Sequence, residues 1–187
     1  MSRFISTLTT ATIAAATLAA CANMTPDMDA QERMTATAVL APTRGNTASG
    51  TVTFEQIGEH VVVKAKVGGL APNSVHAMHA HEFGDCSSGD GMSTGGHFNP
   101  LGKPHGPQDG EHHAGDMPEL RADALGNASA TFVLGGVTVG SGATNLVGHG
   151  LIIHAGVDDF HTQPTGNSGA RIACGVIEPA HGTVAAY

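Results

Sequence analysis

Residues 83–120 run for nearly forty positions with neither the 3.6-residue period of an amphipathic helix nor the two-residue period of a half-buried strand. Glycine, proline, aspartate and histidine dominate the stretch. A loop of that length inside a compact domain ordinarily argues against the elements assigned around it. It becomes admissible if something internal orders it, and its own residues offer two means: metal ligands and a cysteine.

Around the loop the chain reads as short strands. Residues 35–40 and 50–54 are small or β-branched, with Gly45-Asn46 supplying turn chemistry between them. Residues 60–67 (HVVVKAKV) hold three consecutive valines and then alternate. Gly68-Gly69-Leu70-Ala71-Pro72-Asn73 breaks the chain, and residues 75–82 resume an extended pattern. Residues 128–134, 151–154 and 172–177 are further strands. No amphipathic helix stands out beyond the first twenty residues. Twenty-six glycines, 4% aromatics and 13% charged residues suit short strands with long ordered loops better than helices. The 187 residues suffice for one domain with its own core. The expected architecture is an antiparallel sandwich or barrel.

The N-terminus reads differently. A short basic start, Met1-Ser2-Arg3, precedes an uncharged run of apolar and small residues ending Leu18-Ala19-Ala20-Cys21. Residues 1–20 are expected to be a secretory signal peptide, too short and too threonine-diluted for a membrane span. The end of the run is similar to a bacterial lipobox, in which Cys21 is lipidated and becomes the mature terminus; the plainer alternative is a signal peptide with an incidental cysteine. Residues 21–33 then form the lipidated terminus and a polar tether, and residues 34–187 the folded domain. The expected location is the periplasmic side of a bacterial membrane, and Ala22 after the cysteine points, by resemblance to sorting signals, to the outer one. If Cys21 carries lipid, Cys86 and Cys174 remain, and two cysteines in an oxidising compartment usually pair.

A net charge of −8 argues against a nucleic-acid partner, which needs a basic footprint. Membrane contact is expected only through the lipid. Of twelve histidines, seven fall between positions 76 and 113, and histidine is the commonest ligand for zinc and copper. His79 and His81 stand two apart on a strand-like segment, so both rings can face one ion. His97, His105, His113 and Asp116 follow in the long loop, and His154 ends a buried Leu-Ile-Ile run. Three histidines and a carboxylate suit a closed tetrahedral zinc site; three or four histidines suit copper. The bland alternative, a disordered histidine-rich tract binding metal loosely, needs neither Gly-Asp punctuation nor a remote His154.

Four motifs then carry a family resemblance. They are His79-Ala80-His81-Glu82-Phe83-Gly84-Asp85, Gly96-His97-Phe98-Asn99-Pro100, His113-Ala114-Gly115-Asp116, and the run from Gly166 through Arg171 and Cys174 to Gly175. In this order they resemble the copper,zinc superoxide dismutases, over about residues 35–177. The resemblance implies an all-β fold, an eight-stranded antiparallel Greek-key β-barrel with long metal-binding and electrostatic loops. It implies copper and zinc as cofactors and superoxide as substrate, and it is compatible with a homodimer. Copper would be held by His79, His81, His97 and His154, and zinc by His97, His105, His113 and Asp116, with His97 bridging the two. Cys86 and Cys174 match the family's disulfide. Arg171 matches the arginine that draws the anion to the copper channel; the alternative is a structural ion pair. Asp158 matches the carboxylate linking a copper histidine to a zinc histidine, here His79 and His105; the alternative is a solvated loop residue.

Some features depart from the family pattern. His112 adjoins His113, so the ligand register is open, although the spacing to Asp116 favours His113. Ala80 replaces a bulkier apolar residue between the paired histidines. Residues 84–96 and 155–170 contain no Lys or Arg, which leaves Arg171 as the main local cation. The implied reaction is disproportionation of superoxide to oxygen and hydrogen peroxide by copper redox cycling, with structural zinc and His97 handling a proton. The rival readings are a copper-binding or copper-delivery lipoprotein on the same fold, and a structural barrel whose zinc site supports a partner surface. Loss of a copper ligand or of Arg171 would favour the first; neither is lost.

Overall fold

A computed structural model describes residues 34–180; the expected signal peptide, Cys21 and the tether lie outside the described residues. The described residues form nine strands: β1 Thr35–Pro42, β2 Ser49–Ile57, β3 His60–Gly68, β4 Val75–His76, β5 Met78–His81, β6 Leu120–Arg121, β7 Ala128–Gly135, β8 Gly150–His154 and β9 Arg171–Pro179. Among the described residues the one helical element is a 3-10 turn, Met92–Thr94.

Seven strands pair antiparallel in the order β5-β8-β9-β1-β2-β3-β7, and β4 pairs with β6. β4 and β5 are a single run interrupted at Ala77, whose N–H goes to Gly156 O at 2.9 Å. Counted so, the strands number the expected eight, with β6 lying at the end of the aperiodic stretch. From β7 the order returns through the Asp123–Asn127 turn, where Asp123 N–H donates to Asn127 O at 2.8 Å, to β6, then to β4 and so to β5. Among the described residues that turn, rather than a further ladder, joins the last strand of the seven-stranded sheet to the β4–β6 pair. β3 and β4, consecutive in sequence, are not neighbours, which is the crossover of a Greek key.

Alternation explains the core. In β3, Val61, Val63, Ala65 and Val67 face inward, while Lys64 and Lys66 face outward. β1 contributes Ala36, Ala38 and Leu40, and β2 Val52 and Phe54, each buried. β5 and β8 are buried along their whole length. Met78 and Ala80 belong to the core on one face, which leaves His79 and His81 on the other, under the long loop.

That loop is ordered partly by pairing with β5, an end strand of the seven-stranded sheet. Ala80 N–H donates to Gly115 O at 2.8 Å, Phe98 N–H to Ala80 O at 2.9 Å, and Glu82 N–H to Gly96 O at 2.9 Å. Two loop segments therefore cover an otherwise open edge. Gly115 is required here, because a Cβ would run into Ala80 O and Phe98 N. The disulfide between Cys86 and Cys174 ties the same loop to β9, with Cα atoms 5.9 Å apart.

Candidate metal centre

On the outer face of β5 and β8 two groups of four side chains converge: His79, His81, His97 and His154, and His97, His105, His113 and Asp116. Within each group the candidate ligand atoms lie within 4.8 Å of one another, and every residue is buried. The structure brings all the expected ligands together. It leaves His112 outside, half-buried, with its Nδ1 2.9 Å from Gly110 O.

Second partners fix how the rings are presented. His79 Nε2 donates to Asp158 Oδ2 at 2.7 Å, and His105 Nε2 to Asp158 Oδ1 at 2.9 Å. His81 Nδ1 donates to Gly95 O at 3.0 Å, and His154 Nδ1 to Gly169 O at 3.2 Å. Carbonyls and carboxylates only accept, so each of these nitrogens carries the proton and the other bears a lone pair. The opposite nitrogens, His79 Nδ1, His81 Nε2, His105 Nδ1 and His154 Nε2, are buried without a hydrogen-bond partner, as is His97 Nε2. Five orphaned buried nitrogens are costly unless something positively charged takes their lone pairs.

The second group is spaced for a tetrahedral ion. Asp116 Oδ1 lies 2.9 Å from His97 Nδ1, 3.0 Å from His105 Nδ1 and 3.4 Å from His113 Nδ1; the His113 and His97 Nδ1 atoms are 3.5 Å apart. A tetrahedral centre with bonds of roughly 2.0–2.1 Å has ligand edges of about 3.3 Å. His105 Nδ1 makes no hydrogen bond to Asp116 despite its proximity, as two lone-pair atoms facing one centre would. The other carboxylate oxygen accepts the N–H groups of His113, at 2.9 Å, and Gly106, at 3.2 Å. Burial opposes ionisation of Asp116, but bonds from His113 and His97 hold its carboxyl well below the usual range.

Burial also favours the neutral form of three rings of the first group. It pulls His81 down to about 2, His154 to about 3 and His97 to about 4, against partial opposition from Gly95, Gly169 and Asp116 respectively. Neutral imidazoles are what a metal ion requires.

Arg171 reaches this face through a break in register. Along β8 and β9, Ile152 opposes Cys174 and Ile153 opposes Ala173, yet His154 opposes Arg171. A regular strand would put Arg171, three residues before Cys174, on the opposite face. The bulge restores it to the face of His154 and the disulfide. Its Nη1 donates to Gly91 O at 2.6 Å and Thr94 Oγ1 at 2.8 Å, and its Nη2 to Gly95 O at 2.7 Å. All three acceptors are uncharged, so among the described residues no carboxylate hydrogen-bonds the guanidinium. A cavity of about 290 Å³ opens over His81, His97 and His154, with Arg171, Met92 and Asn167 on its walls. A larger groove of about 590 Å³ beside Lys66 and Arg121 holds none of the orphaned atoms, so size alone does not mark the site.

Some contributors carried no linear signal. The carbonyls of Gly91 and Gly95 belong to backbone. His76, buried, links Ser74 Oγ at 2.6 Å to the carbonyl of His154 at 2.8 Å. Arg44 brings a second cation to the disulfide loop, donating its N–H to Gly89 O at 2.7 Å, and its charge helps keep Asp90 ionised after the stronger bonds from Met92 N–H and Ser88.

Comparison with known proteins points the same way. The family model for copper/zinc superoxide dismutase matches residues 48–177. A copper-zinc superoxide dismutase of Talaromyces marneffei is 41% identical over 148 residues, covering 74% of this chain and 95% of the relative. One of the copper-zinc superoxide dismutases of Aquifex aeolicus is 41% identical over 128 residues, covering 66% and 76%. Among solved structures, a double mutant of a SOD-like protein from Bacillus subtilis superposes with a TM-score of 0.66 at 34% identity, covering 76% of this chain and 96% of that one.

Proposed function

The chain belongs to the copper/zinc superoxide dismutase family, and from that premise we propose how its own residues divide the work. It is an oxidoreductase of copper and zinc that disproportionates superoxide to oxygen and hydrogen peroxide. Copper belongs at His79, His81, His97 and His154, and zinc at His97, His105, His113 and Asp116. The observation that carries this division is the set of orphaned nitrogens together with the cavity: His81, His97 and His154 border the opening, whereas the second group is closed and tetrahedral.

Copper supplies one-electron cycling, which zinc cannot. The residues do the rest. Arg171, half-buried and held by three uncharged acceptors, presents positive charge to an incoming anion at the cavity wall. His97 has Nδ1 among the zinc-side ligands, and its Nε2, facing the other group, is the atom that can hold a proton for the product peroxide. Asp158 orients one ring from each group.

Metal analysis of three proteins tests the division. Wild type should hold one copper and one zinc; His154→Ala should keep zinc and lose copper; His113→Ala should keep copper and lose zinc. Equal loss of both metals in both variants contradicts it. The proposal extends to export by residues 1–20, a lipid on Cys21, a tether to residue 33 and a barrel over 34–187 on the periplasmic side of a bacterial membrane; the sequence pattern supports this. A homodimer is part of the same reading, and sedimentation of the mature chain tests it.

A further inference from the structure

Residues 155–170 meet His105 twice, and only one of the two contacts involves the ring. Asp158 Oδ1 accepts from the ring Nε2 at 2.9 Å. Five residues on, the Gln163 side chain lies along the backbone of His105: its Oε1 accepts the His105 N–H at 2.8 Å and its Nε2 donates to the His105 carbonyl at 2.8 Å. A primary amide that accepts from and donates to one residue repeats the pairing of a β-bridge, and fixes position and rotation together. Among the described residues no other hydrogen bond engages that N–H or that carbonyl.

Gln163 is itself well supported, although exposed. The Asp159 carboxylate takes the N–H of His161 at 2.9 Å, the N–H of Thr162 at 2.8 Å and the Thr162 hydroxyl at 2.6 Å. Gly166 N–H donates to Thr162 O at 2.7 Å. The amide thus projects from a knotted turn. Gly166 closes the turn against the relay: its φ is +65°, and a Cβ there would strike Asp158 Oδ1 and His105 Nε2.

We propose that Gln163 is a positioning residue for His105, holding through the backbone what Asp158 holds through the ring, and that it couples zinc retention to the wall of the cavity. This rests on the zinc assignment above. His105 Nδ1 faces Asp116 Oδ1 at 3.0 Å; a ring tethered only at Nε2 can pivot about that bond, and a clamp on its peptide removes the freedom. The same loop supplies Thr165, Asn167 and Ser168 to the cavity wall. Coupling of this kind is reciprocal: zinc on His105 steadies the loop, and the loop steadies zinc.

Zinc release from protein loaded with both metals, followed with a chromophoric chelator, tests the proposal. Gln163→Ala should release zinc about tenfold faster than wild type, retain copper at the wild-type level, and show raised amide hydrogen exchange over residues 158–170. Gln163→Glu, which sets a carboxylate against the His105 carbonyl, should release it at least as fast as Gln163→Ala. Gln56→Ala removes a comparable amide clamp, on Val139 N–H and Gly58 O, both at 2.8 Å, away from the two metal groups, and should release zinc at the wild-type rate. Release from Gln163→Ala within twofold of wild type, or equal acceleration in Gln56→Ala, overturns the proposal. A wild-type protein that holds no zinc overturns the zinc assignment instead.

Discussion

Arg171 stands directly across the β8–β9 ladder from His154, because the register slips by one residue between Ile153 and His154. That slip places a cation on the same face as a proposed copper ligand. The three hydrogen bonds to Gly91, Thr94 and Gly95 then hold it in a planar, forked geometry that the shorter reach of a lysine does not reproduce.

The rate constant for superoxide should follow that geometry. Arg171→Ala should lower it at least about tenfold with both metals retained. Arg171→Lys should keep part of the rate, and Arg171→Glu should be slowest. Wild type should slow as salt rises, and the Ala variant should show a flatter or reversed dependence, since only the global negative charge is left to screen. Pulse radiolysis across an ionic-strength series decides it; equal rates for wild type and Arg171→Ala at full metal loading leave Arg171 a structural residue.

The disulfide closes a separation of 88 residues, which on the loop-entropy picture constrains the unfolded chain by about 4–5 kcal/mol. Cys86→Ser/Cys174→Ser should lower the denaturation midpoint accordingly and loosen the segment that supplies Gly91, Thr94 and Gly95 to Arg171. Non-reducing peptide mapping of exported protein should recover the Cys86–Cys174 peptide; two free thiols there contradict the pairing.

What could be read in the sequence was whatever follows a short period. His79 and His81 announce a shared face because two residues on a strand span one pleat. The alternation of β3 gave its inward valines. β6 did not show, since two residues cannot display a period. The bulge was equally silent: nothing in Ile172-Ala173-Cys174 says that Ile153 and His154 take partners out of step. Ala80 showed in the sequence only as a smaller residue between the paired histidines, yet its backbone is where Gly115 and Phe98 attach the loop. The carbonyls that hold Arg171 have no residue type to be recognised by.

The metal-free protein should lose stability on acidification. The folded state holds His81, His154 and His97 at about 2, 3 and 4, below the ordinary 6.5. Above pH 6.5 these groups are neutral in both states. As pH falls through 6.5 the unfolded chain takes protons that the folded one refuses, at up to about 1.4 kcal/mol per pH unit per group. His105 works in the opposite sense: burial lowers it, but Asp158 and Asp116 raise it overall. Three groups outweigh one, so the urea midpoint of the metal-free protein should fall steadily from pH 6.5 to 4.5. A midpoint constant or rising over that range refutes the neutral-ring reading.

Cys21 bears the proposed anchor. Cys21→Ser should shift the protein from membranes to the soluble periplasmic fraction or stall its processing. A processed variant that still sediments with membranes removes the lipid from the account.

The central claim is that turnover belongs to the four-histidine group with zinc held beside it. Copper titrated into zinc-loaded, copper-free protein, with the superoxide rate constant read at each addition, tests it most directly. The rate should rise linearly and stop at one copper per chain, and His154→Ala should show no such rise. Zinc-loaded protein that consumes superoxide as fast before copper is added as after, or a fully copper-loaded protein that does not consume it, contradicts the claim.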